Sequence, residues 1–275
     1  MYDLGDVVPL GVRVTDASGA LVDAGSMALT ITLPDQTTVT ADPVAPASTG
    51  TYSYDYATAQ AGRHIVRWVA TGANAMAQSD VFDVRPADPQ FLFSLADGKK
   101  HLNIAATSTG DDEELRDWIA ATTMVVEHFV GPCARRTVTE RHSFSVADVR
   151  VLRHTPALAL TSVVPVLTSG TTYNPVDLDL DEETGIVQRK DGGLLYGPLR
   201  FTYTAGRAVI TPNISAAGRI ILQHLWETQR GAMGGVRLGG GNDFSVSEPI
   251  PGLGYAVPNR ALELLEPDRT PPGVA

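Results

Sequence analysis

The amino-acid sequence predicts a two-domain α+β protein, and three observations lead to this fold class. The first is the period-2 alternation of apolar residues from Val7 to Val84, which is typical of β-strands. The second is a helical apolar stripe over residues 112–130. The third is a return to strand patterns between Arg136 and Gly206, followed by another helix. A chain of 275 residues is long enough for two such domains.

The first predicted domain, residues 1–84, consists of short strands separated by turn residues. The predicted strands lie at 8–14, 27–33, 37–41, 52–56, 64–70 and 75–84. Six or seven strands in about 80 residues is the spacing of an immunoglobulin-like β-sandwich. The runs Gly50-Thr-Tyr-Ser-Tyr and Ala61-Gly-Arg-His-Ile-Val-Arg-Trp also resemble strands that recur in bacterial and phage immunoglobulin-like modules.

A stiff linker is predicted over residues 85–91, because Pro86 and Pro89 lack backbone donors and favour extended neighbours. Two helices follow the linker. Ser94 with Asp97, and Asp111 with Glu114, have the spacing of capping boxes at their starts.

The second of these helices is predicted to end at Gly131-Pro132. A third helix is predicted to begin at Thr211-Pro212 and to run to Gly231. Apolar residues at helical spacing predict the core that these helices share: Leu115, Trp118, Ile119, Val125, Phe129, Ile221 and Leu225.

Between the second and third helices the pattern is again that of strands, predicted at 137–141, 148–152, 160–164, 171–173, 185–189 and 199–204. The acidic run Asp177–Glu183 has two interpretations, a calcium loop or a solvated hairpin turn. The EF-hand pattern is broken, because Glu182 stands where a glycine is needed and Gln188 stands where a bidentate glutamate is needed.

The sequence contains no motif typical of an enzyme, so we expect no catalytic, cofactor-binding or metal-binding residues. The six histidines lack the spacing of a zinc hydrolase, and the glycine-rich run 231–241 lacks the Gly-Lys-Ser/Thr of a phosphate-binding loop. The single cysteine, Cys133, could pair with His142 as nucleophile and base. No orienting carboxylate or oxyanion hole is evident near that pair.

The net charge of −10 argues against a protein that grips nucleic acid, because such binding depends on clustered Lys and Arg. No stretch approaches the roughly 20 apolar residues needed to cross a bilayer, and the first residues lack the pattern of a signal peptide. We therefore expect a protein without membrane contact that is made in the host cytoplasm and is not exported from it through a membrane.

Residues 92–235 resemble the head-to-tail connector, or adaptor, proteins of long-tailed phages. The runs Phe93-Ser-Leu-Ala-Asp-Gly-Lys-Lys-His-Leu and Asp111-Asp-Glu-Glu-Leu are similar to the opening of that family, which continues into a long helix ending in Val-Glu. The runs Glu183-Thr-Gly-Ile-Val-Gln-Arg and Phe201-Thr-Tyr-Thr-Ala-Gly, and the Pro212 helix, follow in the family's order. The immunoglobulin-like module and a C-terminal arm at residues 236–275 depart from the minimal family member.

The resemblance implies a helical domain with an inserted β region that assembles as a ring, usually twelve-fold, in the neck of the virion. Its partners would be copies of itself, the portal protein and a tail-side stopper or terminator, and DNA would pass without specific binding. A hairpin facing the lumen or the tail would carry Tyr173, Asp179, Asp181, Gly185 and Arg189. An extended arm docking on the portal would carry Tyr255, Leu262, Leu264 and Leu265. The immunoglobulin-like sandwich would decorate the outside.

Two alternatives remain open at this point. One is a surface-displayed immunoglobulin-like protein that recognises sugar or protein. The other is a small hydrolase that uses Cys133 or the carboxylates of residues 177–183.

Overall fold

The structure is a computed structural model that describes residues 1–229 and 257–269. It combines strands and helices, as the sequence predicts. It divides into two compact units, Met1–Pro89 and Gln90–Ala275. The first unit is built from strands, and the second contains both helices and strands. Within the described ranges, no helix is both long enough and apolar enough to cross a membrane.

Eight strands form the first unit. They are β1 (Tyr2–Asp3), β2 (Val7–Arg13), β3 (Ser26–Thr32), β4 (Thr38–Ala41), β5 (Pro46–Ser48), β6 (Thr51–Ala57), β7 (Gly62–Thr71) and β8 (Met76–Arg85). One sheet has the order β1-β8-β7-β3-β4, and the other has the order β2-β6-β5. The neighbours β4-β3-β7-β8 and β5-β6-β2 correspond to the C′CFG and DEB strands of an immunoglobulin domain.

The two sheets of this unit enclose one apolar core. Alternation along β3 buries Met27, Leu29 and Ile31, and the same alternation along β7 buries Val66 and Trp68. The opposite sheet contributes buried residues to the same cluster: Val12, Tyr52 and Tyr56. The period-2 pattern of the sequence therefore identifies the buried face of these strands correctly.

Two strands of this unit are absent from the sequence prediction. β1 has two residues and pairs in parallel with β8, joining Tyr2 to Val84. β5 begins with Pro46 and lies at the edge of its sheet, where a missing backbone donor is tolerated. Neither strand is long enough to display an alternating pattern, so only the tertiary pairing reveals them.

The second unit begins with two helices and ends, in its described part, with two more. These helices are α1 (Leu95–His101), α2 (Asp112–Val130), α3 (Pro212–Gln229) and α4 (Asn259–Leu265). Ser94 caps α1 as predicted, because its hydroxyl accepts a hydrogen bond of 3.1 Å from the backbone N–H of Asp97. The predicted end of the third helix at Gly231 lies outside the described residues.

The capping box predicted for Asp111 and Glu114 is wrong at its first residue. Asp111 makes no side-chain capping hydrogen bond, and its backbone has φ −108° and ψ 8° instead of the extended conformation of a capped start. In the preceding turn, the N–H of Asp112 donates a hydrogen bond to the carbonyl of Thr109. The chain therefore enters α2 from a turn and not from an extended segment. Asp112 forms an ion pair with the buried Lys99 of α1.

A β region lies between α2 and α3. Its strands are β9 (Arg136–His142), β10 (Val146–Ala147), β11 (Val149–Val151), β12 (Ala157–Pro165), β13 (Leu178–Leu180), β14 (Ile186–Arg189), β15 (Leu195–Tyr196) and β16 (Leu199–Ala205). They form the sheets β12-β16-β9, β11-β14-β13 and β10-β15. The predicted strand at 171–173 is reduced to one bridge between Val163 and Tyr173, because the chain turns at Asn174-Pro175.

Two apolar clusters stabilise this unit. The helices share one cluster, which includes Ile119, Val126, Ile214 and Ile221. The β region has its own, centred on side chains such as Val163, Leu199, Phe201 and Tyr203. Glu127 at the end of α2 connects the two parts, because it forms an ion pair of 2.9 Å with Arg136 at the start of β9.

Candidate functional site

The predicted hairpin exists as β13, β14 and a tight turn that presents two carboxylates. Asp181 caps the turn by accepting hydrogen bonds from the hydroxyl of Thr184 at 2.8 Å and the N–H of Glu183 at 3.1 Å. These bonds, that of Thr184 first, lower the pKa of Asp181. Gly185 closes the turn at φ +71°, where a Cβ would lie 2.6 Å from Cγ2 of Thr155. The turn thus projects Glu182 and Glu183 into solvent.

The other predicted residues of the hairpin support its base. Tyr173 is buried, and its hydroxyl accepts a hydrogen bond of 2.8 Å from the N–H of Tyr196. The guanidinium of Arg189 lies 5.8 Å from the ring centroid of Tyr173 and donates to Asp191. Asp179 accepts a bond of 3.2 Å from Gln188 on the neighbouring strand. These side chains are engaged within the fold, whereas Glu182 and Glu183 at the tip are exposed.

The predicted helix-core residues divide between the buried core and a partly exposed face. Leu115, Ile119 and Ile221 are fully buried. Partly buried against the helix cluster are Trp118, Val125, Phe129 and Leu225. Met124, on another side of α2, is 74% exposed.

The described part of the C-terminal arm is a docked helix: the short helix that the sequence predicts over residues 260–266 is present, but the arm is not extended here. Leu265 is buried in the helix cluster, and Leu264 and Leu262 are partly buried. Tyr255 lies outside the described residues. Apolar residues at helical spacing explain the difference, because Ala261 and Leu265 fall on one face of α4 and cover α2 and α3.

A polar clasp built around Asp268 holds α4 in this position. Arg207 donates to Oδ1 of Asp268 at 3.0 Å, and Asn213 donates to Oδ2 at 2.8 Å. Asn213 also donates to the carbonyl of Leu264 at 2.8 Å. The clasp joins residues 207–213 to residues 264–268, which are remote in sequence, so residue spacing alone does not predict it.

We expect Asp268→Ala to free α4 from the helix cluster. Losing the two charge-assisted bonds costs about 2 kcal/mol, which corresponds to roughly thirtyfold faster amide exchange over 257–269. Hydrogen exchange with mass spectrometry measures this directly. Glu266→Ala is the matched control, since its ion pair with Arg269 is 66% exposed on the acidic side and contributes little. Equal exchange in both variants would contradict the clasp.

The most extensive polar network in the β region is centred on Glu140, whose side chain is only 4% exposed. Glu140 accepts hydrogen bonds from His142 at 2.9 Å, from His154 at 2.7 Å and from the hydroxyl of Tyr203. The N–H of Arg153 adds a bond of 3.2 Å. The carboxylate therefore ties β9, β16 and the segment after β11 together.

The protonation of this network follows from its geometry. Burial would raise the pKa of Glu140, but the hydrogen bonds from His142, His154 and Tyr203 outweigh it, and the pKa lies well below its ordinary value. Burial and then the Glu140 carboxylate raise the pKa of Tyr203. Sequence reasoning missed this site, although the alternation Val138, Glu140, His142 places these residues on one face of β9.

Cys133 is placed for packing and not for reaction. Its side chain is 1% exposed and belongs to the helix cluster. Burial, with a smaller contribution from the Glu127 carboxylate, raises the pKa of the thiol to about 11. A nucleophilic cysteine needs the opposite, an accessible thiolate with a lowered pKa. The ring of His142, its predicted base, hydrogen-bonds Glu140.

The acidic run 177–183 is divided among several local roles. Asp177 ends a short 3-10 turn, Asp179 lies on β13 and Asp181 caps the hairpin turn. Across residues 1–229 and 257–269, no group of three or more His, Cys, Asp or Glu side chains could hold a metal ion.

The fold and these surfaces define a chain with one immunoglobulin-like sandwich and one mixed helical and β unit. No family model matches the chain, and no curated protein matches it. Among solved structures, the filamin domain of Lin-41 is similar with 19% identity and a TM-score of 0.27. The match covers 30% of this chain and 81% of that domain.

Proposed function

We propose that this chain is a non-enzymatic structural protein of a phage particle, a ring in the neck between portal and tail through which genome DNA passes. The observation that carries the proposal is the order of elements in the second unit. A short helix, a long helix, a β region and a third helix follow one another, in the order that the connector resemblance implies. The partners would be copies of the same chain, the portal protein and a tail-side stopper or terminator.

The partly exposed apolar face of α2 supports this proposal. Ring subunits contact one another through surfaces that a lone subunit leaves uncovered. Trp118, Val125 and Phe129 lie on one face of α2 and are only partly buried. This face is suited to packing against a neighbouring subunit.

The charge of the chain is also consistent with a passage for DNA. A net charge of −10 leaves no excess of cations to hold phosphates, so a polyanion would slide past instead of being retained. The hairpin of β13 and β14 would lie on the lumen or tail side of the ring, and the C-terminal arm would contact the portal.

The proposal is tested by locating the chain in purified particles. An antibody raised against it should label the junction of head and tail, and deletion of its gene should leave filled heads without tails. Supplying the chain from a plasmid should restore tailed particles. Tailed, infectious particles that lack the chain would contradict the proposal.

The sandwich favours a second candidate function, recognition of a sugar or a protein at the particle surface. Met1–Pro89 is a compact unit with its own core, so it can be removed without opening the core of the second unit. We expect particles with residues 1–89 deleted to assemble normally and to lose only surface binding. Failure of these particles to assemble would instead make the sandwich part of the neck.

A further inference from the structure

A positively charged groove crosses the helical part of the second unit. It has a volume of about 620 Å³ and lies between α3, α4 and the end of α1. Its lining includes His101, Arg219, Ile220, Arg260 and Leu264. The lining also includes aliphatic side chains, and the two arginines supply its positive charge.

Among the described residues, the two arginines of the groove have no partner of opposite charge. Within the described part of the chain, neither Arg219 nor Arg260 forms an ion pair. Glu263 is the one carboxylate in the lining, against two permanent positive charges. An unpaired cationic groove on a protein of net charge −10 is suited to an acidic occupant.

The hairpin of the same unit carries, at its tip, acidic side chains of the kind that would bind in this groove. Glu182 and Glu183 are exposed, and neither forms an ion pair within the described residues. Asp181 and Gly185 hold the turn in one conformation, so presenting the two carboxylates costs little further ordering. In the part of the chain that the structure describes, no ion pair joins this tip to the groove of the same copy.

We propose that the Glu182–Glu183 tip of one copy docks into the Arg219–Arg260 groove of the next. The contact joins two different patches, so repeating it produces a head-to-tail assembly that can close into a ring. The inference rests on the proposed function, because it names the contact by which a neck ring would form. In this assembly, the acidic tip of each hairpin contacts the groove of the neighbouring subunit.

Charge reversal tests this contact. Arg219→Glu/Arg260→Glu and Glu182→Lys/Glu183→Lys should each reduce self-association by about a hundredfold or more, because attraction becomes repulsion. Mixing the two variants should restore assembly, since each acidic tip then meets an arginine groove and each lysine tip meets a glutamate groove. Sedimentation velocity at low and high salt measures the masses.

The matched control reverses two arginines elsewhere on the unit. Arg141 and Arg200 are exposed and face each other on β9 and β16, and Arg141→Glu/Arg200→Glu changes the net charge equally. This control should assemble like the wild type.

Three outcomes would overturn the inference: a wild-type chain that stays monomeric at every concentration, reversed variants that assemble normally, or a mixture that fails to recover. Assembly that stops at a dimer would support the contact but oppose a ring. The proposed function is judged separately by the labelling and deletion of the chain in particles, so the two can fail independently.

Discussion

Replacing Glu140 with glutamine is expected to lower the free energy of unfolding of the second unit by about 2–3 kcal/mol at pH 7. The buried carboxylate accepts hydrogen bonds from His142, His154 and Tyr203. Removing hydrogen bonds to a buried charge lowers the free energy of unfolding more than removing bonds between neutral groups. A glutamine of the same shape keeps the packing but removes the charge. The loss therefore measures the charge-assisted bonding.

The same substitution should change how stability depends on pH. The pKa of Glu140 is lowered in the folded chain, so its stabilisation is fully present above the unfolded pKa of about 4.3 and is lost as the pH falls toward the folded value. The difference between wild type and Glu140→Gln should therefore shrink as the pH falls below about 4.3.

Cys133 offers a reporter for this experiment. It is the single cysteine and is buried just before β9, so a short pulse of dithiodipyridine, which reacts at acidic pH, labels only unfolded chains. Urea titrations at several pH values then give the free energy of unfolding. Glu182→Gln, at an exposed carboxylate, is the matched control and should have little effect. A difference that persists unchanged at pH 3 would contradict the role of the Glu140 charge.

Gly206→Ala should be at least as damaging, with an expected loss of about 3 kcal/mol or more. Gly206 follows β16 at φ +123°, and a Cβ there would lie 2.7 Å from the carbonyl oxygen of Ala134 and 2.8 Å from Cα of Arg135. Both contacts are with backbone at the junction of α2 and β9, which has no flexible side chain to move aside. The substitution therefore combines dihedral strain with a steric clash.

Two other glycines separate these contributions. Gly192 has φ +74° but open space around it, so Gly192→Ala should cost only the strain of the dihedral, about 1 kcal/mol. Gly110 also has open space and no positive φ, so Gly110→Ala should be nearly neutral. The same pulse-labelling of Cys133 in urea ranks the three variants. Equal losses for Gly206→Ala and Gly192→Ala would show that the junction accommodates a Cβ.

The features that sequence reasoning predicts correctly are local ones. The cap at Ser94 needs only Asp97 three residues away, and the buried face of β3 follows from alternation along one strand. The hairpin turn at Asp181–Gly185 is likewise encoded in adjacent residues. Each of these structures is determined by interactions within a few positions of the chain.

The features that it misses depend on contacts between remote segments. Glu140 meets His154 across 14 residues and Tyr203 across 63, and no spacing rule relates them. The clasp of α4 joins Arg207 to Asp268 across 61. Asp111 shows that even a correct local motif can fail, because the turn that precedes it determines its backbone conformation.

The β region leaves and rejoins the helices at a single point. Arg136, the first residue of β9, pairs directly with Ala205, the last residue of β16. Residues 136–205 therefore form an insertion whose two ends are adjacent. A segment of this kind can grow, shrink or be exchanged at little entropic cost, because the gap that it must span stays the same. The length of the hairpin of β13 and β14 can thus change in evolution while the packing of the helices is kept.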